Sequence, residues 1–187
     1  MSNMLTFNER KEIQNLSSLI RYNNKFHIHG ENVAEHSFYV AFYTMQLCKF
    51  LEVSKEIESL AIKKALIHDV HEIELSDIPH NIKDENPSLY AFCTDKEYEF
   101  NETHFPDIVK EYREIDTVSG LLVDVIVNIA DILEVLHYSE FEVLLGNVMF
   151  NEIMLSATKR IKEELEYFER ILDKEKAEAL RKLLMEE

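Results

Sequence analysis

The sequence predicts an all-α, single-domain helical bundle. Breakers are scarce: the 187 residues hold 3 Gly and 3 Pro, against usual shares of roughly 7% and 5%, so elements run long. Apolar residues recur at helical spacing along most of the chain, and no segment alternates convincingly at period two as a half-buried strand does. The length suits one domain with a real core, and no linker, repeat or low-complexity tract divides it. Residues 1–187 are therefore read as one domain.

The elements follow in order. Thr6-x-x-Glu9 has the form of a capping box and opens a first helix to about Tyr22. Residues 23–33 lack periodicity, include Gly30 and read as a loop. A second helix runs from about Ala34 to Leu51. One apolar stripe passes through Ala34, Phe38, Ala41, Met45 and Cys48, another through His36, Val40, Tyr43 and Leu47. A helix apolar on two faces is expected at the centre of a bundle. Ser54 caps a third helix to about Ile73. On it Ala61, Ala65, His68 and Glu72 share one face, and Ile62, Leu66, Asp69 and Ile73 the next, so polar residues continue buried stripes. Residues 74–87 form a loop. Asn86-Pro87 starts a helix, with Pro at its first position, that reaches about His104; a short helix follows Pro106. Ser119 to about Leu145 is the most apolar helix. Phe150 to Leu172 is amphipathic through Ile161, Leu165, Phe168 and Leu172, and a last helix follows Asp173.

Composition narrows the partners. A net charge of -16 repels nucleic-acid backbones, which need Lys and Arg to displace counterions, so no nucleic-acid partner is expected. A small anionic substrate needs a local positive cluster inside this negative field. No apolar run follows a basic start, so no secretory leader is expected. The densest apolar run, Leu121 to Leu136, is broken by Asp124, Asn128, Asp131 and Glu134, too short and too polar to span a bilayer. Cys48 and Cys93 form no zinc or redox spacing and are read as free thiols in a reducing cytoplasm.

Chemistry concentrates in His68-Asp69, near the end of the third helix. His36 stands in the second helix and Asp131 in the most apolar one. Two imidazoles and two carboxylates from three helices make a mixed nitrogen and oxygen site for one divalent cation, of a kind that suits Mn, Co, Fe or Mg, with positions left for water and substrate. A buried carboxylate needs such a cation, or several donors, to offset its desolvation. Two other histidine patterns carry less. His27-Ile28-His29 has the His-x-His form of barrel amidohydrolases, but a helical chain of this length cannot build the parallel barrel. His71-Glu72 is not the zincin His-Glu-x-x-His, because residue 75 is Leu.

With these residues in place, the chain resembles the HD-domain phosphohydrolase superfamily, and within it the YfbR-like 5'-deoxynucleotidases and their small phage relatives, the DatZ-type dATP triphosphohydrolases. The resemblance rests on Arg21-Tyr22, Glu31-Asn32-Val33-Ala34-Glu35-His36-Ser37, His68-Asp69-Val70-His71-Glu72, Ser76-Asp77-Ile78-Pro79 with Lys83, and Ala130-Asp131. It covers about residues 15 to 140. It implies that His36, His68, Asp69 and Asp131 bind the metal, that Glu72 and Asp77 are the acid–base residues, and that Arg21 and Lys83 face the phosphate. Tyr22 stands where many YfbR-like proteins have Trp, and a Tyr there can still stack on or border a sugar or base. The resemblance and the amphipathic C-terminal helices together imply a homo-oligomer.

The expected reaction is hydrolysis of the O5'–P bond of a (deoxy)nucleoside 5'-monophosphate, with a divalent metal ion as cofactor. Glu72 lies three residues after Asp69 and four after His68, so it projects toward the same region; the sequence does not divide acid from base between Glu72 and Asp77. The alternative is a dNTP triphosphohydrolase, for which Lys25, His80 and Lys83 supply extra positive charge. A non-catalytic nucleotide-binding module and a cyclic-nucleotide phosphodiesterase are further readings.

Overall fold

The computed structural model describes residues 12–79, 82–83, 85–171 and 173–185; the Thr6–Glu9 capping box, His80 and Leu172 lie outside them. The helices are α1 (Val33–Phe50), α2 (Lys55–Ile67), the one-turn α3 (Glu72–Leu75), α4 (Pro87–His104), α5 (Pro106–Glu114), α6 (Thr117–Leu144), α7 (Asn151–Ile171) and α8 (Lys174–Met185). Short 3₁₀ turns lie at Gln14–Ser18 and Val148–Phe150. Among the described residues there is no strand beyond an isolated bridge between Ile20 and Asn32, and no helix is long and apolar enough to cross a membrane.

Local chemistry sets the helix starts. Asn32 opens α1 with a reciprocal capping box: Glu35 N–H donates to its side chain at 3.0 Å, and its own N–H donates to the Glu35 carboxylate at 3.2 Å. Ser54 Oγ accepts from Ile57 N–H, Asn86 Oδ1 from Leu89 N–H, and Asp116 Oδ1 from both Val118 and Ser119 N–H. Such caps contribute about 1 kcal/mol each.

α6 is the central helix, packed against α1, α2 and α7. Val123, Ile126, Ile129, Ala130 and Leu133 of α6 share one core with Val40 and Leu47 of α1, Leu60 and Ala61 of α2, and Ala157, Ile161, Leu165 and Phe168 of α7. Fully burying a side chain of the larger kinds contributes about 1.5–3 kcal/mol, which offsets the cost of the polar residues where His36, His68 and Asp131 meet.

Three expectations are corrected. α1 is not central: Phe38, Tyr39, Phe42 and Met45 are exposed, because α2 and α6 cover only its opposite face. The first helix does not reach Tyr22. Its described part ends at Ser18, Leu19 turns extended, and the chain pairs with the stretch before α1 through Arg21 N–H to Glu31 O and Val33 N–H to Leu19 O, both 2.9 Å. The third helix stops at Ile67 rather than Ile73, and His68–His71 form a tight turn before α3. The remaining boundaries fall within about two residues of those expected, the usual scatter of helix ends.

Candidate metal centre

The turn after α2 aims the first two groups. Val70, Glu72, Ile73 and Glu74 each donate N–H to the carbonyl three residues back, at 3.0–3.2 Å, the tighter winding of a 3₁₀ turn. That winding leaves carbonyls at the end of α2 in need of donors. His68 Nδ1 meets Ala65 O at 2.7 Å, and His71 Nδ1 meets His68 O at 3.1 Å. A carbonyl only accepts, so each ring carries a proton on Nδ1, and a neutral His68 presents a bare Nε2.

His36 is oriented the same way by a different partner. It is wholly buried on α1, and its Nδ1 lies 2.6 Å from Glu134 Oε2. The ring donates to that carboxylate and turns Nε2 toward His68 Nε2 at 3.2 Å, Asp69 Oδ2 at 3.3 Å and Asp131 Oδ1 at 3.2 Å. His68 Nε2 and Asp69 Oδ2 are also 3.2 Å apart. The ligand atoms of His36, His68 and Asp69 all lie within 4.8 Å of one another, and Asp131 joins them through His36. Two lone-pair nitrogens and two carboxylate oxygens repel one another unless positive charge stands among them. Ligands about 2.0–2.2 Å from one cation sit about 2.8–3.6 Å apart at octahedral or tetrahedral angles, so the donor set fits a divalent ion.

Proton affinities carry the same signature. Burial and Arg21 disfavour charge on His36, but Glu134, Asp131 and Asp69 outweigh them and hold the ring well above its usual range. Burial works against the Asp69 carboxylate, yet His68 and His36 hold it well below its usual range; Asp131 is lowered in the same manner. Behind His36 stands a second, wholly buried layer of Glu31 and Glu134. Burial, then the charge of Glu134, pushes Glu31 up to about 9, so Glu31 keeps its proton and donates it to Glu134. Glu134 stays ionised because His36 and Arg21 outweigh its burial. A carboxylate on the far nitrogen fixes both tautomer and direction of a metal-binding histidine.

The remaining predicted residues gather on the other side of the ligand set. Arg21 is buried, with Nε 3.6 Å from Glu31 Oε2 and Nη1 3.6 Å from Asp69 Oδ2. Glu72 is buried, and its Oε2 has no hydrogen-bond partner among the described residues. Burial first, then Asp69 and Asp77, pushes Glu72 up to about 9. Asp77 Oδ2 accepts from Tyr22 N–H at 2.9 Å. This bond joins two strained turns: Tyr22 has φ 50°, and Ser76, with φ 64° and ψ 163°, occupies a region that residues other than Gly hardly enter. The Tyr22 ring stacks on Tyr138 at 6.2 Å and meets the edge of Phe150 at 5.7 Å. Arg21, Tyr22, Glu72, Asp77 and Lys83 line a pocket of about 70 Å³ together with Asp69 and Asp131. A wider cleft of about 590 Å³ between α4 and α7 shares Asp69, Lys83 and Asp131 with it.

All nine residues singled out from the sequence thus meet in one place. The decoys do not. Ile28 and His29 N–H groups donate to the Glu142 carboxylate at 2.9 and 2.6 Å, which ties the His27–His29 loop to the far part of α6. His71 borders the wide cleft only, and Lys25 lines neither space. Sequence reasoning missed three participants. Glu134 left a signal, a carboxylate one turn after Asp131 on an otherwise apolar helix. Glu31 left none beyond its place in a matched block. Arg160 of α7, which lines both spaces, came from a region where nothing but helical character had been recognised.

The sequence matches the family model described as 5'-deoxynucleotidase YfbR-like over residues 10–174. The chain belongs to the YfbR-like family. These are metal-dependent phosphohydrolases, and solved relatives of this YfbR-like chain show the HD-domain fold. A protein from Pyrococcus horikoshii is 24% identical, with 94% of this chain and 95% of that chain covered and a TM-score of 0.67. An HD-domain phosphohydrolase from Listeria innocua is 22% identical over 89% and 87% of the two chains, TM-score 0.64. The HD phosphohydrolase DatZ of cyanophage S-2L, bound to dA and one catalytic Zn²⁺ ion, is 19% identical over 85% and 99%, TM-score 0.54. No protein with curated annotation shows a significant sequence match.

Proposed function

We propose that this YfbR-like chain hydrolyses (deoxy)nucleoside 5'-monophosphates at the O5'–P bond, releasing nucleoside and orthophosphate. The observation that carries the reading is the lone-pair set of His36, His68, Asp69 and Asp131 beside a pocket of about 70 Å³, room for one phosphoryl group and not for a nucleoside. The wider cleft then takes the nucleoside. The dA and single catalytic Zn²⁺ of the cyanophage relative support a nucleoside product and one ion.

His36, His68, Asp69 and Asp131 hold one divalent cation of the Mn, Co, Mg or Fe kind in this reading. Such an ion supplies Lewis acidity toward a phosphoryl oxygen and makes water a nucleophile near neutral pH. Arg21 and Lys83 offset charge on the phosphoryl oxygens. Glu72, whose carboxyl burial pushes up to about 9, is the group placed to give a proton to the departing O5'. Asp77 holds the Tyr22 backbone, and through it the Arg21 side chain and the rim of the pocket.

Triphosphate hydrolysis is the second reading, because Lys83, Lys159 and Arg160 line the wide cleft. Glu97, Glu163 and Glu164 share that wall and oppose a polyphosphate, which favours the monophosphate. The exposed Phe38, Tyr39, Phe42 and Met45 of α1 support a homo-oligomer, and two free buried thiols, Cys48 and Cys93, suit the cytoplasm.

Product analysis with Mn²⁺ or Co²⁺ on dAMP and dATP in separate reactions tests the reading. Deoxyadenosine and orthophosphate from dAMP are expected. Deoxyadenosine and intact triphosphate from dATP, with dAMP untouched, would move the assignment to a triphosphohydrolase.

A further inference from the structure

α7 brings to the site a cation that no motif block announces. Ala157, Ile161, Leu165 and Phe168 bury one face of α7 in the core. Arg160, adjacent to Ile161, falls at the edge of that face and reaches over the ligand set. Its Nη2 stands 3.9 Å from Asp131 Oδ2, close enough for charge attraction and too far for a hydrogen bond. The guanidinium makes no hydrogen bond to any described residue, although its side chain is only 27% exposed. It borders both the small pocket and the wide cleft, at the junction where the reading above puts the scissile bond.

Arg160 mirrors Arg21. Arg21 flanks the ligand set on the Asp69 side, Arg160 on the Asp131 side. Three cations, Arg21, Lys83 and Arg160, face four carboxyl groups, Asp69, Glu72, Asp77 and Asp131, around the small pocket, so Arg160 adds positive charge where a phosphoryl group needs it.

We propose that Arg160 is a catalytic residue that forks two phosphoryl oxygens of the substrate. The planar guanidinium donates two parallel N–H bonds to such a group, and the Asp131 charge, 3.9 Å away, attracts it to the ligand set. Arg160 exchanges no proton. This role rests on the phosphohydrolase reading above.

The test uses the full chain and its Arg160→Ala, Arg160→Gln and Arg160→Lys variants, checked for folding by circular dichroism. Three quantities are compared: orthophosphate binding to Mn²⁺-loaded protein by calorimetry, Mn²⁺ binding to metal-free protein, and dAMP turnover. For the Ala and Gln variants the orthophosphate Kd rises about tenfold or more, the size of one charge-assisted contact, and kcat/KM for dAMP falls with it. Lysine restores part of both, since it returns the charge without the fork. Mn²⁺ affinity does not fall, because the variants remove a positive neighbour from Asp131. Unchanged orthophosphate binding in a folded Ala or Gln variant overturns the proposal. A fall in Mn²⁺ affinity that accounts for the whole loss overturns it too, and makes Arg160 a prop for Asp131. Should the wild type release nothing from dAMP or dATP, the nucleotide reading fails by itself, and the orthophosphate titration still decides Arg160.

Discussion

Replacing Glu134 by glutamine removes one charge from behind His36 and keeps the shape of the side chain. The bond it alters is short, 2.6 Å from Glu134 Oε2 to His36 Nδ1, and both residues are buried. A glutamine oxygen still accepts from the ring, so the tautomer survives. What is lost is the negative charge that makes Nε2 a strong donor, and charge-assisted bonds are roughly twice as strong as neutral ones. Partners of this kind are typically worth 10–100-fold in metal affinity, or about 1.4–2.7 kcal/mol. Calorimetric titration of Mn²⁺ into metal-free Glu134→Gln protein should therefore show Kd raised by about that factor, with little change in Tm. Glu134→Ala is predicted to differ in kind. It leaves the buried His36 Nδ1–H without its acceptor, and an unsatisfied buried donor costs about 1–3 kcal/mol of stability. Wild-type Mn²⁺ affinity and turnover in Glu134→Gln would refute the claim that this carboxylate tunes His36.

Further outcomes follow from the same geometry. Glu72→Gln should keep Mn²⁺ and lose ~10²–10⁴-fold in kcat. In the proposed role Glu72 works protonated, so kcat should fall as pH rises through its pKa. That value is about 9 without a bound ion, and a cation on Asp69 moves it lower, so the alkaline limb lies below pH about 9 and disappears in the variant. Glu142→Ala should lower Tm, because Ile28 N–H, His29 N–H and Asn147 Nδ2 lose their acceptor, at about 1–3 kcal/mol for the buried Asn147 donor. Those donors outweigh burial and hold Glu142 below its usual 4.5. Its contribution to stability is thus present above that value and lost as pH falls through the folded pKa, so the Tm difference should shrink on acidification. Phe38→Asp with Phe42→Asp should reduce the mass measured by light scattering if the proposed homo-oligomer forms through α1, and an unchanged mass would refute that contact.

The residues that gather at the candidate site were legible because their chemistry is odd for their places. His68-Asp69 and Asp131 interrupt apolar helical stripes, and a polar group in such a stripe needs a partner that only the site supplies. Helix ends were legible wherever Asn32, Ser54 and Asn86 cap them. Three features were not. The break after Ile67 has no Gly or Pro to mark it; it is held by Nδ1 of His68 and of His71 on backbone carbonyls, a tertiary arrangement that helical periodicity runs straight through. The exposure of Phe38 and Met45 depends on which faces α2 and α6 choose to cover, which a single helix's pattern does not contain. Glu31 and Arg160 act from a loop and from the rim of an amphipathic helix, where Glu and Arg are ordinary surface residues until the fold turns them inward.

The most direct measurement is reconstitution of metal-free protein with stepwise Mn²⁺, following orthophosphate release from dAMP at each occupancy. Release should rise with bound metal, level off at one ion per chain, and be absent in His36→Ala and Asp131→Ala at every metal concentration. Turnover of wild type that persists in the metal-free protein, or that survives in either variant, would contradict the assignment of His36, His68, Asp69 and Asp131 as the centre of a metal-dependent phosphohydrolase.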